Sequence, residues 1–279
     1  MMRIALPAFP LLALLALSAP ALASDRYCKH EAPRRLTLDI GDARTVVFDV
    51  GPHDLTVQSR AGAPAAMEGR ACSSHADRLD QLKVEQRRAG DKLIVQMYRD
   101  GSHSGISFGG NYAYLNLTAI LPDHLPVQVK VGSGEAEVTG APVFSADVGS
   151  GHAVGRRIRG LAAASVGSGD IDIHGAGSLK VVSIGSGDVE ADDVQGATDV
   201  GSIGSGGFSL SRGGSVEIGS IGSGGAELRD IAGHVVVGSV GSGGLDVRDV
   251  SGGLTVRSIG SGDVDHAGVK GPIDIPKHR

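Results

Sequence analysis

Gly167-Ser168-Gly169-Asp170-Ile171-Asp172-Ile173-His174-Gly175-Ala176-Gly177-Ser178-Leu179-Lys180-Val181-Val182-Ser183-Ile184 is followed at once by Gly185-Ser186-Gly187, and the pattern begins again. Gly-Ser-Gly opens eight such periods, at Gly132, Gly149, Gly167, Gly185, Gly204, Gly222, Gly241 and Gly260, in steps of 17, 18, 18, 19, 18, 19 and 19 residues. A period this steady marks a repeat architecture. In the quoted period, apolar and polar residues alternate over Asp170 to Ile173, a turn follows over His174 to Gly177, and Leu179 to Ile184 alternate again. Leu245 to Val247, Arg248 to Gly253 and Leu254 to Ile259 repeat the scheme. Period two is a strand with one buried face, and no window carries a helical period.

Two strands and two turns in about 18 residues describe one coil of an all-β parallel solenoid, each coil pairing with the next at about 4.8 Å. Eight coils predict a rod about 40 Å long. The inward positions Val189, Ala191, Phe208, Leu210, Ala226, Leu228, Val235, Val237, Leu254 and Val256 are mostly aliphatic and often small, which suits flattened two-sheet coils. Gly-Ser-Gly reads as the corner: Gly supplies positive φ and lets rungs stack without a Cβ clash, while Ser bonds neighbouring backbone. A ladder of ligand-facing hydroxyls is the alternative, set aside because the motif closes every coil whatever flanks it.

The chain has 279 residues, a net charge of −5, 44 Gly, 3% aromatics and no Trp, so repeated turns account for its glycine and it is no disordered acidic tail. Interspersed charges give no electrostatic footprint for nucleic acid or a membrane surface. Residues 1–23 carry Arg3, an apolar run from Leu11 to Leu17, and Ala21-Leu22-Ala23 before Ser24, the order of a cleaved secretory signal. The mature chain is expected to be exported, to the periplasm, the cell surface or the medium, without a transmembrane segment. Its two cysteines, Cys28 and Cys72, predict one disulfide in an oxidising compartment.

Residues 24–125 read as a β cap over the first coil, and 126–279 as the solenoid. Strands are expected at Leu36 to Ile40, Thr45 to Val50, Leu55 to Ser59, Leu82 to Arg87, Leu93 to Tyr98 and Tyr112 to Leu121. All four tyrosines lie in this region, which implies a thicker core there. Gly105-Ile106-Ser107-Phe108-Gly109 matches the nucleophile elbow formally, but a strand follows it where the elbow needs a helix.

The segment Ala119-Ile120-Leu121-Pro122-Asp123-His124-Leu125-Pro126-Val127 leads through Val129 and Val131 into the first Gly-Ser-Gly, and Asp follows the motif at Asp170, Asp188 and Asp263. These features resemble the exported bacterial β-strand-repeat family known as putative adhesins, a domain of unknown function related to the head domains of autotransporter adhesins. The resemblance covers most of the mature chain. It implies a parallel β-solenoid with a surface or envelope role, and it supplies no catalytic residues. At Gly207, Gly225 and Gly244 this chain has Gly in place of the Asp, which weakens any role for the acid.

Calcium, bound by nine-residue glycine-aspartate repeats, is not expected, because only one turn per coil carries the motif and three coils have Gly in place of its Asp. No cofactor or metal is expected. His152, His174, His234 and His266 share no column when counted from the preceding Gly-Ser-Gly. Arg156, Arg157, Arg212, Arg229 and Arg248 approach a basic stripe that could suit acidic glycans, but Asp192 and His174 interrupt it and Asp193, Asp230 and Asp249 stand beside it as turn formers. The outward acids Asp172, Glu190, Glu217, Glu227 and Asp246 are spread one per coil, with no long loops to wall a site. The reading is therefore a non-enzymatic exported solenoid that offers its lateral face, and no discrete pocket, to an unknown envelope or surface ligand, glycan or protein, with self-association also open. The alternative is a carbohydrate-active β-helix enzyme of the polysaccharide lyase or hydrolase type.

Overall fold

The computed structural model of the chain describes residues 28–101 and 111–276. The leader read over residues 1–23 and the Ser107 motif lie outside the described residues. Nine strands precede the most regular coils: β1 (His30–Thr37), β2 (Thr45–Gly51), β3 (Asp54–Arg60), β4 (Ala66–Ser73), β5 (Leu82–Ala89), β6 (Lys92–Arg99), β7 (Ala113–Pro122), β8 (Val127–Val131) and β9 (Glu135–Thr139). One short 3-10 turn, Ala76–Gln81, separates β4 from β5. Among the described residues, no helix is long and apolar enough to cross a membrane.

From β8 onward the chain winds as a parallel β-solenoid built of two ladders. The first runs β6, β2, β8, Phe144–Val148, the second halves of His152–Val166 and Asp170–Ile184, then Thr198–Ile203, Val216–Ile221, Val235–Val240 and Leu254–Ile259. The second runs β7, β3, β9, the first halves of those two long strands, then Asp188–Val194, Gly207–Gly213, Gly225–Ile231, Gly244–Val250 and Asp263–Ala267. Sequence alternation becomes alternation of burial, as in Asp188–Val194, where Val189 and Ala191 are buried between exposed Asp188 and Glu190. All ten inward positions expected from the sequence are buried.

Parallel stacking passes without interruption across residue 126, since β2 and β3 pair in parallel with β8 and β9. The order of rungs there is not the order of the chain. β6 and β7, later in sequence, form the rung outside β2 and β3. Antiparallel strands then close the stack, with β5 on β6 and β4 and β1 beside β7. Cys28 and Cys72 are disulfide-bonded, with Cα atoms 5.6 Å apart, and fasten the start of the described chain to β4. β4 carries no alternation in Ala66-Met67-Glu68-Gly69-Arg70-Ala71-Cys72-Ser73 and is unannounced by the sequence, while the strand expected over Leu36 to Ile40 instead ends at Thr37.

The corner differs from expectation in how its glycines act. None of the eight Gly-Ser-Gly motifs places a glycine in the left-handed region. What they require is closeness: a Cβ on Gly206 would lie 1.8 Å from the carbonyl oxygen of Gly187, and one on Gly224 1.9 Å from that of Gly206. Rungs meet here through main-chain bonds, such as Ser205 N–H to Gly185 O at 2.8 Å and Ser223 N–H to Gly204 O at 2.9 Å. The serine binds neighbouring backbone through its amide, and its side chain is exposed in every corner. The first glycines, Gly132, Gly149, Gly167, Gly185, Gly204, Gly222, Gly241 and Gly260, would each bring a Cβ within 2.5 to 3.1 Å of a carbonyl of the preceding rung.

Positive φ occurs instead at the ninth position of each period, where Gly140, Arg157, Gly175, Asp193, Arg212, Asp230, Asp249 and Gly268 have φ between 50° and 79°. This residue is skipped by the pairing: Asp192 faces Ser211 and Val194 faces Gly213, with Asp193 between them. Asp tolerates this conformation better than most side chains, which accounts for three of the eight.

Candidate functional site

Outward positions on the second ladder form two columns. The first is the residue directly after Gly-Ser-Gly, and the register stacks Asp188, Gly207, Gly225, Gly244 and Asp263 on successive rungs. The second lies two residues on and stacks Glu190, Ser209, Glu227, Asp246 and Asp265. Three neighbouring rungs without side chains, bounded by an aspartate at each end, leave a trough along the solenoid face. Its cavity volume is about 510 Å³, and five rungs at about 4.8 Å make it about 19 Å long. The sides of Val189, Phe208, Ala226 and Leu245 reach its floor, and Asp188, Glu190, Glu227, Asp246, Asp263 and Asp265 line it.

The three glycines of the floor are unlike those of the corners. A Cβ on Gly244 would meet nothing within 4 Å, one on Gly225 only the Gly244 carbonyl at 3.7 Å, and one on Gly207 chiefly the end of the Asp188 side chain. None of the three has a positive φ. Rung packing therefore does not demand glycine here, and each costs about 0.5 to 1 kcal/mol of strand stability relative to Ala. Glycine inside a strand commonly marks the close approach of a ligand or another backbone.

Electrostatics differ between the columns. Asp188 turns over the first empty rung and accepts the Gly207 N–H at 2.7 Å. Arg229 grips Glu227, and Arg248 donates to Asp246 Oδ2 at 2.7 Å, so two of the six carboxylates carry a guanidinium on their outer side. Asp246 holds the Arg248 guanidinium more firmly in its charged form. The other oxygen of Asp246 is buried without a hydrogen-bond partner.

Several residues singled out in the sequence fall into place around this site. Asp172, Glu190, Glu227 and Asp246 are not spread: they occupy one column, because the period-two side-chain direction repeats identically on each rung. Glu217 alone belongs to the first ladder, on the other face. The arginine stripe is interleaved with acids. Arg156 bonds Glu137 at 3.2 Å, and Arg212 bonds Asp193 at 2.6 Å and Asp192 at 3.1 Å, pulling the Asp193 carboxyl below the usual range. His152 and His174 each face an aspartate of the next rung, Asp172 at 3.0 Å and Asp192 at 2.9 Å. Among the described residues, no cluster of three His, Cys, Asp or Glu side chains is arranged to hold a metal ion.

Gly207, Gly225 and Gly244 are the residues that sequence reasoning undervalued. They looked like losses of an aspartate; in space they make the concavity. The signal available was their sequence, three consecutive periods with Gly at the same offset, flanked by Asp188 and Asp263 at that offset.

Searches for related proteins match no family model and no curated protein sequence. Solved structures do resemble the fold. A putative adhesin from Parabacteroides distasonis superposes with a TM-score of 0.47 at 12% identity, over 85% of this chain and 97% of that one. A putative adhesin from Bacteroides fragilis gives 0.44 at 13% identity, over 88% and 97%. A putative lipid binding protein, also from Parabacteroides distasonis, gives 0.41 at 17% identity, over 86% and 97%.

Proposed function

We propose that the chain is an exported, non-enzymatic binding protein of the adhesin type, and that it engages its partner along the lateral face of the second ladder. The observation that carries this reading is the trough over Gly207, Gly225 and Gly244, which is open to solvent, shared by five rungs and built from glycines that packing does not require. A binding face spread over rungs gains strength from length, and from multivalency when many copies stand on one envelope. The solved structures with a similar fold that are named as adhesins accord with it, as does the disulfide, which suits a compartment outside the cytosol.

One observation favours the enzymatic alternative, namely the carboxylates along the trough. Glycoside hydrolysis sets two carboxyl groups on opposite sides of the scissile bond. Here Glu190, Glu227, Asp246 and Asp265 stand in one row on one wall, and the facing side is the Gly-Ser-Gly corner. That arrangement suits holding a chain more than cutting it.

The test is adhesion of the purified mature protein to intact bacterial and host cells. Deleting one coil, residues 204–221, shortens the trough by a rung and should lower adhesion several-fold while the remaining solenoid still unfolds cooperatively. Undiminished adhesion after that deletion would refute the lateral-face reading. Cleavage of a polysaccharide by the wild type, lost entirely in Glu227→Gln, would replace it with the enzyme.

A further inference from the structure

We infer that the trough is a binding site for a slender, linear, amine-bearing chain: an oligoamine whose ammonium groups recur every three or four methylenes. The inference rests on the lateral-face reading and names its ligand class. Shape sets the first condition. The trough is one residue column wide, about 19 Å long and floored by glycine methylenes with Val189, Phe208, Ala226 and Leu245 beneath them. A cavity of about 510 Å³ is of small-molecule size, and its narrowness excludes a helix or a branched glycan.

Charge sets the second condition. Among the described residues, six carboxylates line the trough and no cation does. The two guanidiniums nearest them, Arg229 and Arg248, are committed to Glu227 and Asp246 from outside. Along the wall the side chains recur once per rung at about 4.8 Å, a spacing comparable to that between nitrogens separated by three or four methylenes. Asp188 and Asp263 stand at the two ends, where terminal ammonium groups would lie. Methylene segments would pass over the glycine floor, and nitrogens in the middle would stand beside the Glu227 and Asp246 carboxylates of the wall. A divalent cation satisfies the charge but leaves the length of the trough unused, and no cluster in the described residues has metal-ligand geometry.

Isothermal titration of the full mature protein with spermine provides the test. The expected result is saturable one-to-one binding that weakens as salt rises, since the contacts are charge pairs near the surface. Glu190→Gln/Asp265→Asn, which touches no ion pair described above, should weaken it about tenfold or more. Gly225→Leu/Gly244→Leu fills the floor where a Cβ has room, so it should fold with a melting transition no lower than the parent's and lose binding. Trilysine serves as the peptide counterpart, calcium as the divalent one and tetraethylene glycol as the uncharged one; each should bind at least tenfold more weakly. No saturable heat with spermine, equal affinity for calcium, or spermine binding that survives filling of the floor would each overturn the inference. Should the filled variant lose cell adhesion while the wild type ignores spermine, the trough stands as the binding face and only the ligand class fails. Adhesion that persists in the filled variant removes the trough itself.

Discussion

Gly206 stands just before one strand of the second ladder and Gly244 opens another, and they answer to different physics. At Gly206 the carbonyl of the previous rung occupies the place of a Cβ, whereas at Gly244 the place is empty. Gly206→Ala should therefore destabilise by about 3 kcal/mol or more through forced separation of rungs. Gly244→Thr should stabilise by about 0.5 to 1 kcal/mol, because a β-branched residue replaces glycine on an open strand face. Urea denaturation of the two variants checks both signs. His53 presents a separate case. Its ring is fully buried beside the corner of β2 and β3, Nδ1 accepts the Leu115 N–H at 3.3 Å, and burial pushes its pKa down from 6.5 to about 4. The unfolded chain takes up this proton near pH 6.5 and the folded chain only near pH 4, so the contribution is intact above about 6.5 and falls away as pH drops between the two values. Stability at pH 4.5 should be lower than at pH 7 by about 2 kcal/mol from this group, and His53→Gln should remove that part of the difference.

From β9 onward each strand of the second ladder contains, or is followed at once by, a left-handed residue, and stacking makes these an element of their own, a column of eight. Because every rung turns at the same place, the column keeps the flat sheet and the following turn in step. The occupants Gly, Asp and Arg differ in how much this conformation costs them. Asp230 has φ 54° and is exposed, so its side chain is free to change without disturbing the core. Asp230→Val should cost about 1 to 2 kcal/mol, while Asp230→Gly should stay within about 0.5 kcal/mol of the parent. Thermal unfolding of the pair reads the difference. The same column bears on the ion pairs, since Arg212 reaches back to Asp192 and Asp193 from it. Such exposed pairs are screened by solvent, and they balance charge across rungs more than they hold them together.

The solenoid as a body contacts itself only from rung to rung, so its ends matter out of proportion to their length. At one end, β5 on β6 and β4 and β1 beside β7 replace parallel stacking by antiparallel pairing, and the disulfide ties the described start of the chain to β4 across 44 residues of sequence. Closing a loop of that length stabilises by about 3 to 4 kcal/mol in the chain-entropy model. Cys28→Ser/Cys72→Ser should lower the stability of this end by about that amount and leave distant rungs nearly untouched. Hydrogen exchange measures it directly: protection should fall in β1 and β4 and remain in Val235–Val240 and Leu254–Ile259.

Period-two alternation and the Gly-Ser-Gly period were enough to read the solenoid, its two-strand coils and its inward residues, because burial in a strand is decided by side-chain direction, which is local. Val189, Leu228 and Val256 needed no knowledge of their neighbours. The columns did. Steps of 17 to 19 residues leave open where each extra residue sits, and pairing places it in turns or at a bulge: Ala164 pairs with Val181 and Ser165 with Ser183, so Val182 is an extra residue with no counterpart on the preceding rung. The shared offset of Asp188, Gly207, Gly225, Gly244 and Asp263 is readable in the repeat, but that these residues stack in register on neighbouring rungs and enclose a trough is seen only in the pairing. β4, with no alternation of its own, and the rung of β6 and β7 lying outside β2 and β3 are likewise products of long-range pairing. A strand's faces are written in its own residues, while its neighbours are chosen by the competition of all rungs for hydrogen bonds and core space, which tertiary structure alone resolves.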